Sequence, residues 1–298
     1  MGEDSGFFFS LVVNGISIGM LYALIALGFV LVYKATEALN FAQGEFVMLS
    51  GYIAAALLTA KGMPVIAAII GTIAIMIGFS FALERVVLRP LLGRPIVAVI
   101  MATIGLAAIL RGLPPLTFGA ETRAVPLPIG DDPLVIGPAT VPPIQAIGFV
   151  VTLIFLGGFT WFFRRSRTGV ALRAVAENQQ VAAAMGINVE RYFALAWAMA
   201  GIASAVSGIV WGNMLGVDVQ LALVGLKVFP VVILGGLDSI AGAVIGGLTV
   251  GVVESLTAGY IDPYVGGGTK DFAPYLLMIV ALMFRPYGLF GKRKIERV

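Results

Sequence analysis

Residues 168–191 read TGVALRAVAENQQVAAAMGINVER, a polar run set between two long apolar segments. Nearly every other stretch suits hydrocarbon, so this run marks where the chain meets water and orients the rest. From Val170 to Met185 it is rich in Ala, Leu, Arg, Glu and Gln, which lose little rotamer freedom in a helix. A single helix over 170–185 is therefore expected. Gly186 fits its C-terminal stop, because a residue without a β-carbon enters the left-handed conformation freely. At about 3.6 residues per turn, Leu172, Val175, Ala176, Gln179 and Ala183 fall roughly on one side. Arg173 and Glu177 are spaced to pair, in the weaker order of base before acid. With Asn178, Gln179 and Gln180 beside them, the polar side chains are too many for a lipid-facing span. The helix is expected outside the bilayer.

The whole chain has 298 residues, 59% hydrophobic and 12% charged, with mean hydropathy +1.02. Soluble domains carry about 25% charged residues, so the composition points to an all-α polytopic membrane protein. The 38 glycines exceed the usual share of about 7%. Many sit at four-residue spacing: Gly15 and Gly19, Ser204, Gly208 and Gly212, Gly242 and Gly246, Gly247 and Gly251. Small residues so spaced let helix backbones approach closely in lipid. The chain has no Cys and no His, which removes disulfides, thiol chemistry and the commonest zinc ligand. No metal and no cofactor are expected. The start, MGEDSG, has two acids and no base before the apolar run, unlike a cleaved signal peptide, so the first span should stay in place.

Bases gather at Arg85, Arg89 and Arg94, at Arg164, Arg165, Arg167, Arg173 and Arg191, and at Arg285, Lys292, Arg293, Lys294 and Arg297. By the positive-inside rule these regions face the cytoplasm. They mark membrane boundaries without forming a basic aromatic surface, so nucleic acid is not an expected partner. Spans are read at about 7–33, 41–59, 65–83, 96–110, 144–163, 192–215, 219–234, 241–258 and 273–289, which makes nine crossings with the N-terminus outside. The stretch 219–234 is short and interrupted by Lys227 and Pro230; if it is re-entrant, the count is eight. Residues Arg111 to Pro143 hold eight of the 15 prolines and the acids Glu121, Asp131 and Asp132, the pattern of an external loop and not of a long helix. No polar insertion exceeds roughly 35 residues, too few for a hidden soluble domain. Residues 1–298 thus read as a single transmembrane domain with a cytoplasmic loop at 164–191. The GGGTK run at 266–270 lacks the Gly-Lys-Ser/Thr order of a phosphate loop, so any ATP hydrolysis belongs to another chain.

Polar residues inside spans are costly and mark functional candidates. In LNFAQGEF (39–46), Asn40, Gln43 and Glu45 surround Gly44. This is either a broken helix lining a cavity, or an Asn40 cap with Glu45 stabilising the first turn. Lys227 and Glu254 are charges within spans and need partners, as a Lys227–Glu254 or a Lys227–Glu45 pair. Two apolar segments are candidates for broken helices near a transport site: 95–112, interrupted at Gly105, and 219–235, interrupted at Gly225 and Pro230.

Ala176-Glu177, a run of alanines and Gly186 nine residues after the Glu resemble the cytoplasmic coupling loop of ABC importer permeases. With NGISIGMLYALIALGFVLVY, LNFAQGEFVMLSGY, KVFPVVILGGLDSIAGAVIGG and RPYGLFG in order, the chain resembles the permease family of branched-chain amino-acid ABC importers, LivH type. Gln43 stands where many members carry His, and Pro230 where some have a small residue. The resemblance implies an inner-membrane permease subunit that pairs with a second permease, two ATPase subunits and a periplasmic substrate-binding protein. It implies that Arg173, Ala176, Glu177, Gln180, Ala183 and Gly186 serve ATPase coupling. It leaves open the related urea and short-chain amide importers, which share this layout. A stand-alone channel or ion-coupled transporter using Glu45, Lys227 and Glu254 is the reading it competes with, and a membrane anchor without a pathway is a third.

Overall fold

The computed structural model describes residues 2–291 apart from 38, 92, 93 and 131. Asp131 and the terminal bases Lys292, Arg293, Lys294 and Arg297 lie outside the described residues. The chain is almost entirely helical. Helix α1 spans Gly2–Thr36; α2, Gln43–Ala55, runs on into a π-helical turn at Ala56–Ala60. Helix α3, Val65–Leu83, continues through a π turn at Glu84–Leu88 and a 3-10 turn at Arg89–Leu91. Then come α4 (Ile96–Phe118), a hairpin of β1 (Leu134–Ile136) and β2 (Ala139–Val141), and α5 (Pro143–Arg165). The polar run forms α6 (Arg167–Glu177) and α7 (Gln179–Ala184), followed by α8 (Val189–Leu215). The rest is a 3-10 turn at Val219–Ala222, α9 (Leu223–Gly235), α10 (Ile240–Tyr260), α11 (Asp262–Val265) and α12 (Thr269–Phe284).

Each apolar segment expected to span coincides with a helix. Among the described residues, six helices are long and apolar enough to cross a membrane. Helix α9, at 13 residues, is about 20 Å long, short of the ~30 Å of hydrocarbon. The outward faces of α3 and α4 carry exposed Ile66, Ile70, Val97, Met101 and Ile109, the surface that lipid solvates.

The chain divides into two compact units, one of Met1–Ala26, Pro128–Leu153 and Lys227–Val298, the other of Leu27–Leu127 and Ile154–Leu226. In the first, α1 crosses α10 backbone to backbone: a methyl on Gly15 would lie 2.6 Å from the Val252 α-carbon, and one on Gly19 would meet Gly247. In the second, Phe46, Met76, Leu106, Trp197 and Ala200 form a buried core, and Gly208 of α8 admits the Ser50 hydroxyl and Val47 carbonyl of α2. The small residues at four-residue spacing therefore sit at helix crossings in both units.

Three expectations need correction. The helix expected over 170–185 is two helices, broken at Asn178, which is extended (φ −161°, ψ 109°) and whose side chain accepts from the Val181 amide at 2.9 Å. Asparagine competes for backbone donors and favours an N-cap over a helix interior. Leu172, Val175 and Ala182 are buried while Ala183 is exposed. Second, α4 does not end at 110 but runs to Phe118 with Pro114 and Pro115 inside; proline near a helix end removes few carbonyl partners. Third, Gly105 interrupts nothing. It lies inside the unbroken α4, and beyond its own turn of helix nothing comes within 4 Å of where a β-carbon would stand.

Candidate functional site

In the second unit the chain turns at 39–42 and re-enters as α2. Asn40 is the pivot of that turn: its Oδ1 accepts from the Ala42 amide at 3.1 Å, and its amide nitrogen donates to Gln43 Oε1 at 3.1 Å. Gln43 in turn donates to the Ser204 hydroxyl at 2.9 Å. Thr103 of α4 closes the other side, its hydroxyl accepting from the Phe41 amide at 3.3 Å and lying 3.2 Å from the Leu39 carbonyl. Ala42, and not Asn40, occupies the cap position of α2, with no side-chain cap bond. These groups satisfy a backbone opened inside the protein, as lipid requires. Asn40, Gln43 and Glu45 are all 2% exposed or less.

Ser204 lies near the middle of α8, a helix about 40 Å long, so α2 begins at mid-depth of that span. The segment after α8 returns along α2. Val217 and Leu221 lie against Gly51, and Ala222 and Gly225 against Gly44. A methyl on Gly44 would collide with the Ala222 carbonyl, and one on Gly225 with the Gly44 backbone. The starts of α2 and α9 thus meet glycine to glycine. The 219–235 segment does supply one short helix, α9, but the helix it meets is α2 and not the 95–112 segment, which belongs to the long α4. Pro230 sits inside a continuous α9. Glu45, in the first turn of α2, is ion-paired with Arg111 of α4, whose side chain is 46% exposed.

The first unit holds the other predicted charges. Lys227 donates to Glu254 at 2.6 Å and to Asp271 at 2.9 Å, and the Tyr22 hydroxyl donates to the second Glu254 oxygen at 2.7 Å. Of the two expected pairings, Lys227–Glu254 forms, and Glu45 takes Arg111 instead. Sequence reasoning missed Tyr22, Arg111 and Asp271. Arg111 was readable as one more charge within an apolar helix, had α4 been extended beyond residue 110.

The α6–α7 segment is anchored at two points, the start of α6 and the start of α7. Ser166 caps α6, accepting from the Gly169 amide at 2.8 Å, and Gly169 packs on the backbone of Phe162 and Phe163. Gln179 of α7 donates to the Ala35 carbonyl at the end of α1 at 3.3 Å. Gly186 takes the left-handed φ of +82° expected of a stop. Arg173, Glu177, Gln180, Ala183 and Gly186 are exposed and Ala176 half-buried; Val181 (58%) and Met185 (78%) add apolar surface. At the same end, Arg89 bonds Glu84 through two nitrogens, at 3.2 and 2.9 Å, and reaches Glu190 at 3.1 Å.

A family described as "Branched-chain amino acid transport system / permease component" matches residues 11–282. The high-affinity branched-chain amino acid transport system permease protein LivH of Escherichia coli strain K12 is 32% identical over 313 residues, covering all of both chains. BraD, the corresponding permease of Pseudomonas aeruginosa, is 34% identical over 301 residues and 96% of each chain. Among solved structures, PsaBC from Streptococcus pneumoniae in complex with Fab aligns over 94% of both chains with TM-score 0.50 and 13% identity, a likeness of fold.

Proposed function

Since the chain belongs to the family of branched-chain amino-acid transport permeases, we propose how it does that work. It is the permease subunit of an ATP-driven importer for branched-chain amino acids, a multi-pass protein of the bacterial inner membrane. It is a transport subunit and not an enzyme. Two ATPase subunits, a second permease and a periplasmic binding protein complete the machine in this reading, and the cargo arrives from the binding protein.

The observation that carries the proposal is the α6–α7 segment. Arg173, Glu177, Gln180, Ala183 and Gly186, with half-buried Ala176, present one exposed surface, mixed polar and apolar as a partner interface should be. ATPase closure pressed on it moves the span ends to which α6 and α7 are tied. The junction of Asn40, Gln43, Gly44 and Glu45 is fully buried and stands for a passage in its closed state, where parting of the glycine-to-glycine contact opens it. Lys227 and Glu254 brace α9 and α10 while that happens. Stretches 1–298 act as one permease domain, with 164–191 as its coupling loop.

The test is leucine uptake into proteoliposomes carrying internal ATP and an external binding protein, with and without the partner permease and ATPases. Uptake that needs every component and ATP supports the reading; ATP-independent flux through this chain alone overturns it. Competition by urea or short-chain amides separates the related importers. Glu177→Lys and Gly186→Asp should abolish uptake with insertion and expression intact, and normal uptake by both would remove the coupling assignment.

A further inference from the structure

Arg111 is the single charge in α4. It stands seven residues before Phe118, inside a helix long and apolar enough to cross a membrane, and its side chain is 46% exposed. A cation within a span faces a bundle interior or a water-filled space, because hydrocarbon solvates it poorly. Snorkelling to the nearer interface does not account for it. Side chains on a helix lean toward its N-terminus, here away from the Phe118 end, and Glu45 in the first turn of α2 holds the guanidinium. That turn begins at mid-depth of α8. The charge is therefore held toward the middle of the span, and the surface around it meets water and not lipid.

Glu45 orients this guanidinium without saturating it. The contact uses Nη2 alone, and among the described residues Arg111 meets no second acceptor. A guanidinium carries five N–H donors in a planar fork, so a full edge remains for another carboxylate in the bidentate geometry such groups prefer. The Glu45 side chain is 3% exposed and offers a ligand nothing itself. At helical spacing Ala108 and Ile104 lie on the Arg111 side of α4, and both are exposed. Ile109, on the lipid side, points nearly the opposite way. The arginine side chain thus leans over a surface that is first small and then aliphatic.

We propose that Arg111 is a carboxylate anchor on the passage. The group it takes is the carboxylate of an aliphatic amino acid, whose alkyl chain lies over Ala108 and Ile104. Glu45 follows Gly44 in the chain, so the anchor adjoins the junction where Gly44 meets Gly225. Cargo held there sits beside the contact that parts. Urea or a neutral amide brings no charge to pair with the cation, so the site favours the cargo of this importer over that of the related ones. The inference rests on the proposed function, which supplies the amino acid as cargo.

The experiment uses the full complex in proteoliposomes with internal ATP, supplied with binding protein loaded with a leucine analogue that carries an alkyl diazirine. Light attaches the cargo side chain to what it touches, and peptide mass spectrometry locates the attachment. Three variants go beside the wild type. Glu45→Gln/Arg111→Met removes both charges and strands neither, Arg111→Lys keeps the charge and loses the fork, and Ala108→Trp covers the aliphatic surface from an exposed position. Thermal unfolding and assembly with the ATPases report whether each folds, and Ala108→Trp decides the matter if the double variant does not assemble. Expected is label on residues 101–108 of the wild type, reduced roughly tenfold or more in the double variant and in Ala108→Trp, and by less in Arg111→Lys. The maximal rate of leucine uptake should fall in the same order, with half-saturation by loaded binding protein unmoved. Folded variants that label 101–108 as the wild type does overturn the proposal, and so does label confined to other segments. If the wild type imports no leucine, it is the proposed function that falls; import with no label on α4 sinks this inference alone.

Discussion

Around Gln43 the buried polar atoms are amides, hydroxyls and backbone groups, each answered by a neutral partner; around Lys227 they are formal charges, one base against Glu254 and Asp271. The first arrangement holds open a break in a helix and needs close fit, because a buried amide or hydroxyl left without its partner incurs the full cost of desolvation. The second holds helices to one another, and its strength depends on how much water reaches it. Lys227 and Glu254 have side chains 23% and 12% exposed, so the pair is largely dry. Glu45 is buried, with its side chain 3% exposed, yet its partner Arg111 is 46% exposed and can be solvated if left alone.

The strongest test of that contrast is Lys227→Met, which strands Glu254 with Tyr22 as its one remaining donor. A loss of about 3–5 kcal/mol is expected, read from thermal or denaturant unfolding in detergent. The double variant Lys227→Met/Glu254→Gln should recover more than half of it, and no recovery would show that the pair is not the stabilising unit. Next comes Gly225→Leu, which forces side-chain atoms onto the Gly44 backbone. Overpacking of this kind costs about 1–3 kcal/mol, and it should block transport even in protein that still folds. Glu45→Gln should lose only about 1 kcal/mol, because Arg111 remains within reach of water; a loss equal to that of Lys227→Met would erase the distinction between the two clusters.

The smallest effect concerns pH. The Thr269 hydroxyl and amide donate to Asp262 at the α11–α12 turn and hold its carboxyl below the usual range. A depressed carboxylate adds stability that is complete above its unfolded value of about 3.9 and disappears as pH falls through the lower folded value. The turn should be indifferent to pH between about 5 and 8 and loosen only below about 4. Hydrogen exchange at 262–269 measures this, and Thr269→Val should shift the loosening to higher pH.

Much of the fold was legible because lipid imposes one rule on long stretches: residues must be apolar and backbone bonds internal. The glycine spacing was legible for the same reason, since only small residues let Gly15 and Gly19 meet α10. That Lys227 needs an acid followed from the cost of a lone charge, but its choice of Glu254 over Glu45 did not. What stayed hidden depends on contacts between distant residues. Nothing local tells Glu45 to take Arg111, or Asp271 and Tyr22 to complete the Lys227 cluster. Gly105 was misread because glycine in a membrane helix often has no local consequence, and the break at Asn178 was missed because the alanines around it favour helix so strongly.

Under the proposed coupling role, that break sets how mechanical load would travel. A continuous rod from 170 to 185 would turn any push at its exposed face into one torque on one neighbour. With Asn178 as a joint, the load divides. The α6 share goes through Gly169 into the end of α5, and the α7 share goes through Gln179 into the end of α1. A single external stroke is thereby resolved into two displacements whose ratio depends on where along the surface the push lands.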